Sequence, residues 1–353
     1  MPAISFSRAR IVPTTILFVL TACGGGSQPL VGGAPAATLE RSSTSQSDST
    51  LYVANAAIRD LGSVNVYDTA SKKLLDTITD GINDPVSMVV DATGNLYVAN
   101  RKGKNVAMYA PGTTTPALAI TQGIVKPYRL GFDPAGELNV VGANDVTVYA
   151  AASGTLLRTI KNKLRRPFGL TFDPAGDLFV LNGERKQGQT NVVEFVAGGT
   201  EAVHTFGSGT EFAYADDIII GPDGYLYVAD ETKIIVVDPA TGSVVRTITD
   251  GVYDTLKLAF DGAGNLYVSN SGVSNGVISV YPPGSSGPSF EIKQDDAYSF
   301  ALLFDPQNDL YLASQYGGKN NQGMVAEFAF AKSLPKRLIE TGMDYPDAAV
   351  FGP

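Results

Sequence analysis

The chain has 353 residues, of which 44% are hydrophobic and only 17% charged, with 38 glycines and a net charge of −9. An acidic balance of this kind argues against nucleic acid and against charge-driven binding to anionic lipid. One cysteine (Cys23) excludes an internal disulfide, and one histidine (His204) excludes a multi-histidine or thiolate zinc site.

The first segment, 1–22, has Arg8 and Arg10 ahead of a largely apolar run from Ile11 to Ala22. A basic stretch followed by an apolar one is the layout of a signal peptide. The apolar run is shorter than the about 20 residues needed to span a bilayer. Residues 23–50 are rich in Gly, Ser, Thr and Ala. Such a segment buries too little apolar surface to fold and is expected to be a flexible tether.

From residue 51 onward one unit recurs. Its clearest copy is Phe168-Gly-Leu-Thr-Phe-Asp-Pro-Ala-Gly-Asp-Leu-Phe-Val-Leu-Asn182. Two short apolar runs flank Asp173-Pro-Ala-Gly176, in which proline presets the turn and glycine accepts a positive φ. The unit is therefore a β-hairpin. Its second strand recurs at Leu51, Leu96, Leu138, Leu178, Leu226, Leu266 and Leu310, at intervals of 40–48 residues. Third strands follow, such as Lys233-Ile-Ile-Val-Val237, and then fourth strands, such as Val244-Val-Arg-Thr-Ile248. A strand-only period of about 40–45 residues is a four-stranded propeller blade.

The ends give the blade count. Leu51 has no first strand before it, while Pro346-Asp-Ala-Ala-Val-Phe-Gly-Pro353 is a first strand with no partner after it. First strands begin near Val86, Tyr128, Phe168, Asp216, Leu256, Phe300 and Asp347. The expectation is an all-β, seven-bladed propeller over 51–353, closed by the C-terminal strand pairing in the N-terminal blade.

Two resemblances add to this reading. Leu20-Thr21-Ala22-Cys23 resembles the bacterial lipobox. That resemblance implies cleavage before Cys23, its lipidation, and anchoring of the protein in the cell envelope facing away from the cytoplasm. With Gly24 after the cysteine, it implies the outer membrane in bacteria that have one. The pattern at Asp91–Asn100 and Asp261–Asn270, together with Asp238-Pro-Ala-Thr-Gly-Ser-Val-Val-Arg-Thr-Ile248, resembles the NHL and YVTN propellers, and more loosely the gluconolactonase-like ones. WD40 is not expected, since no blade ends in Trp-Asp, and a tryptophan-docking quinoprotein is not expected in a chain without tryptophan.

Propeller loops after second and fourth strands share the face that holds the central mouth. The loops after fourth strands run 79–85, 121–127, 161–167, 207–215, 249–255, 293–298 and 341–346. At the first-strand starts, Arg129, Asp216, Asp217, Lys257 and Asp347 sit beside Tyr128, Phe168 and Phe300. This mixture of charges and rings is the candidate ligand site. No catalytic set is expected: His204 falls in a fourth strand at the outer rim, and no phosphate-cradling glycine motif lies between a strand and a helix. The recurring Asn55, Asn100, Asn182, Asp230 and Asn270 are read as satisfying backbone groups where second strands end.

Two functions follow from these residues. One is a monomeric, non-catalytic module binding an envelope protein, a glycan or a small molecule, with no cofactor. The other is implied by the gluconolactonase-like resemblance: a Ca²⁺-dependent hydrolase with Asp216, Asp217 and Asp347 converging near Asn83 or Asp84. Against it, no first strand starts with the glutamate that such sites use.

Overall fold

The computed structural model describes residues 50–56, 61–184, 189–207, 212, 214–271, 276–293, 299–318, 321–330 and 332–352. The expected signal segment, Cys23 and most of the tether lie outside the described residues.

The described chain forms seven sheets of four antiparallel strands. The chain is a seven-bladed β-propeller. Blade 1 is assembled from both ends: Pro346–Gly352, then Thr50–Asn55, Ser63–Asp68 and Leu74–Ile78. Blades 2 to 7 follow in order over 85–120, 129–160, 169–206, 215–248, 255–293 and 299–339. The closing register is Leu51 opposite Phe351, Tyr52 opposite Val350 and Val53 opposite Ala349. Closure leaves no open edge around the ring.

The repeating hairpin forms for the reasons its sequence gives. In blade 4, Asp173 Oδ1 accepts hydrogen bonds from the Ala175 and Asp177 amides at 2.9 and 2.8 Å. Gly176 donates to the Asp173 carbonyl at 3.0 Å with φ of 88°. The same Asp bonding recurs at Asp91, Asp133, Asp261 and Asp305.

The core is not one mass. It divides into seven clusters, each between two neighbouring blades, and the cluster uniting Leu51, Val53 and Tyr67 with Tyr311, Ala313 and Val325 joins blade 7 to blade 1. Second strands such as Leu96–Asn100 are buried throughout, because a neighbouring blade covers each face. Fourth strands such as Val244–Ile248 are mostly exposed.

Two sets of tyrosines fasten blade to blade. Second-strand rings pack edge-on against phenylalanines of the next blade: Tyr97 on Phe132, Tyr227 on Phe260, Tyr267 on Phe304 and Tyr311 on Phe351, with centroids 4.8–5.4 Å apart. Third-strand tyrosines reach back to the loop that precedes their own blade. Tyr67, Tyr109, Tyr149 and Tyr281 donate to the carbonyls of Thr341, Asp80, Gln122 and Asp250 at 2.5–2.6 Å. Burial raises the pKa of Tyr67 and Tyr281 to about 12, so these donors stay protonated.

Candidate functional site: the axial mouth

The innermost strands do not pair evenly with their second strands. In blade 2, Pro85 faces Asn100 and Ser87 faces Ala99, so Val86 is an extra residue. The same offset leaves Asp216 extra in blade 5, Leu256 in blade 6, Phe300 in blade 7 and Asp347 in blade 1. In blades 3 and 4 the matching residues are Tyr128 and Phe168, whose amides bond the Val141 and Leu181 carbonyls just ahead of the ladder. A β-bulge bends its strand and re-aims one side chain. Here five bulges, with Tyr128 and Phe168 at the matching positions, turn seven side chains onto one axial cavity of about 250 Å³.

The expected site residues therefore meet. Tyr128, Arg129, Phe168, Asp216, Lys257, Phe300 and Asp347 all line this cavity. Asp217 sits behind its rim and organises the charges. Its Oδ1 lies 3.4 Å from Arg129 and 3.7 Å from Lys257, while Oδ2 accepts the Leu258 amide at 3.1 Å. Arg129 belongs to blade 3 and Asp217 to blade 5; the matching position in blade 4 is Gly169, which has no side chain to stand between them.

Three lining residues escaped sequence reasoning. Val86 and Leu256 are bulge residues like the others, and alignment of the repeats puts them at the same blade position. Arg101 directly follows the second strand of blade 2. Its guanidinium holds Asp84 with two bonds, 2.8 and 3.2 Å long, a charge-assisted fork. That bond raises the Arg101 pKa further.

Asp347 is an acid of the ring whose titration is displaced. Burial raises its pKa, against the Gln315 amide bonded to it at 2.8 Å and the positive fields of Arg101 and Lys257. Beside the mouth, Asp84 and Asp217 are held by cations, and Asp347 accepts an amide donor. Among the described residues, no three His, Cys, Asp or Glu side chains are grouped so that they could hold a metal ion.

The other sequence readings find their places. His204 lies in the edge strand Ala202–Phe206, with Nδ1 2.7 Å from the Glu194 carboxylate, away from the mouth. The recurring amides bond backbone, in the loop between their own blade and the preceding one. Asn100 accepts from the Asn83 amide at 2.9 Å and donates to the Gly81 carbonyl at 3.0 Å. Asn270 does the same with Tyr253 and Gly251, Asn182 with Arg165 and Lys163, and Asn55 with Asp344 and Gly342. Asp230 accepts from the Tyr214 amide.

No protein-family model matches the sequence. No curated protein matches it either. Among solved structures, the fold is similar to the WD40 β-propeller domain of Doa1, with a TM-score of 0.65 at 14% identity, covering 81% of this chain and 91% of that one. Identity this low shows the shared fold alone.

Proposed function

We propose that this chain is an envelope-anchored propeller of the NHL/YVTN kind that binds a ligand in its axial mouth without transforming it. The observation that carries the reading is the ring of seven residues at the matching first-strand position. Every blade turns one side chain onto the same cavity, and the seven are of five residue types: Val86, Tyr128, Phe168, Asp216, Leu256, Phe300 and Asp347. Apolar faces with a few fixed charges are the makings of a specific pocket. The paired charges of Asp217, Arg129 and Lys257 suit recognition of a polar ligand. The anchor rests on Leu20-Thr21-Ala22-Cys23.

The test has two arms. Immobilised protein is offered envelope extract, with and without EDTA, beside a Phe300→Ala variant. Ligand captured in EDTA and lost on the variant supports the reading. Ca²⁺-dependent lactone hydrolysis by the purified protein overturns it. In the second arm, Cys23→Ser should move the protein from the membrane to the soluble fraction, since stable anchoring depends on the acyl chains. Unchanged membrane retention counts against the anchor.

A further inference from the structure

The loops around the mouth are built alike but charged unlike. Loop 79–84 carries Asp80 and Asp84, loop 249–254 carries Asp250 and Asp254, and loop 341–345 carries Asp344. Loops 121–127 and 161–166 carry Lys126, Lys161, Lys163, Arg165 and Arg166 and no acid. All five cations are exposed, on a chain whose net charge is −9. Their nearest carboxylates are Glu184, 2.8 Å from Arg166 and 3.5 Å from Arg165, and Asp145, 4.0 Å from Lys161. The sector stays positive after both are counted.

Backbone geometry adds weight. Lys163 has φ of 59°, where the matching loops place Gly81, Gly123, Gly251 and Gly342 at 71–79°. Glycine adopts that conformation freely and lysine only at a cost. A charge stands there in spite of the backbone.

Between these two loops lies a cavity of about 550 Å³, lined by Lys126, Tyr128, Asn144, Arg166, Phe168 and Glu184. Tyr128 and Phe168 also line the mouth, so the two hollows adjoin. The lining combines three chemistries. Aromatic rings offer flat apolar faces. Asn144 can both donate to and accept from hydroxyls. Lys126 offers an ammonium to a carboxylate, and Arg166, 2.8 Å from Glu184 through one nitrogen, offers its remaining N–H groups. A polyhydroxylated ring that carries a carboxylate uses all three, whereas an acidic peptide uses chiefly the cations.

We infer that this cavity is a binding site for an acidic oligosaccharide of uronate type. It goes beyond the mouth reading, because Lys126 and Arg166 lie outside the bulge ring.

Calorimetry on the purified protein tests it with trigalacturonate, its methyl ester and a short polyglutamate. Trigalacturonate should bind, the neutral ester at least about tenfold more weakly, and salt should weaken the acid form. The double variant Lys126→Glu, Arg166→Glu should lose binding, while Lys73→Glu with Lys332→Glu, the same charge change on exposed residues elsewhere, should keep it within about twofold. If the reversal variant does not fold, Arg166→Asn replaces it, since asparagine tolerates the φ of 55° found at that position. It should weaken binding several-fold. Absence of trigalacturonate binding, equal binding of the ester or of polyglutamate, or undiminished binding by the site variants overturns the assignment.

Discussion

Two positions recur in every blade, and they behave in opposite ways. At the end of the second strand, five of the seven blades place Asn55, Asn100, Asn182, Asp230 or Asn270, and each bonds the backbone of the loop before its own blade. At the bulge of the first strand the blades place seven side chains of four kinds, acidic, aliphatic, phenyl and phenol, and these meet around one cavity. The first position is uniform because its partner is uniform: a backbone amide at a fixed place. The second is varied because nothing in the ladder dictates it. Bulge side chains leave the pleat and face the axis, so the scaffold places few demands on their chemistry. In a repeat protein, sameness therefore marks what holds the blades, and difference marks where to look for a ligand.

The deepest break in that contrast removes the bulge position from one blade together with the strand that carries it. Deleting 347–353 takes away the first strand of blade 1, the ladder to Thr50–Asn55, and the Asp347 bulge. It also removes Val350 from the blade 1–2 core and Phe351 from its edge-on contact with Tyr311. Burial of such side chains contributes roughly 1.5–3 kcal/mol each, against a typical net stability of about 5–15 kcal/mol. Exposure of the Thr50–Asn55 edge invites association. Aggregation or a large fall in melting temperature is expected, and a truncated protein that melts like the parent would break the ring closure itself.

A narrower cut tests the uniform position. Asn100→Ala leaves the Asn83 amide and the Gly81 carbonyl without their partner. An unsatisfied buried group costs about 1–3 kcal/mol. The melting temperature should fall by several degrees while ligand captured by the mouth binds as before. If capture falls and the melt does not, the two positions have been assigned the wrong way round.

The mirror experiment is Phe300→Ala. This ring is only partly buried and packs on the cavity rather than within an inter-blade cluster. Its loss should cost about 1 kcal/mol or less, yet abolish capture of the mouth ligand. A melt lowered as much as by Asn100→Ala would show that the ring is structural filler.

Much of this architecture is legible in the sequence. Turn chemistry at Asp173-Pro-Ala-Gly176 and the spacing of the second strands are local signals, and they define blades, count and closure. The axial residues were legible wherever they carried a charge or a ring at a first-strand start, as at Arg129 and Asp216. Val86 and Leu256 are not legible as axial, because an aliphatic residue in a strand reads as core; only the pairing offset shows that they face the axis. Arg101 was passed over because its role comes from Asp84, a residue 17 positions earlier that the fold brings to it. The basic run Lys161-Asn-Lys-Leu-Arg-Arg166 is plain in the sequence, but its sector beside Lys126 and Tyr128 exists only once blades 3 and 4 stand side by side.

The smallest effect expected carries a sign that separates the two roles meeting in Asp347, which belongs both to the closing strand and to the ring. Burial raises its carboxyl pKa above the unfolded value, and the Gln315 bond and neighbouring cations offset this only in part. Between the two pKa values the folded protein holds a proton that the unfolded chain has released. Its contribution to stability is therefore fully present below the ordinary carboxylate value and is lost as pH rises through the raised one. At neutral pH the ionised Asp347 is a small burden on the fold. Asp347→Asn, which keeps the shape and an oxygen for Gln315 to donate to, should raise the melting temperature slightly at pH 7. The gain should shrink as the buffer is acidified through that window, and vanish below it. If Asp347→Asn instead lowers the melting temperature at pH 7, with the deficit closing on acidification, the ion pairing with those cations outweighs burial. Asp347 would then belong with the uniform positions that hold the blades.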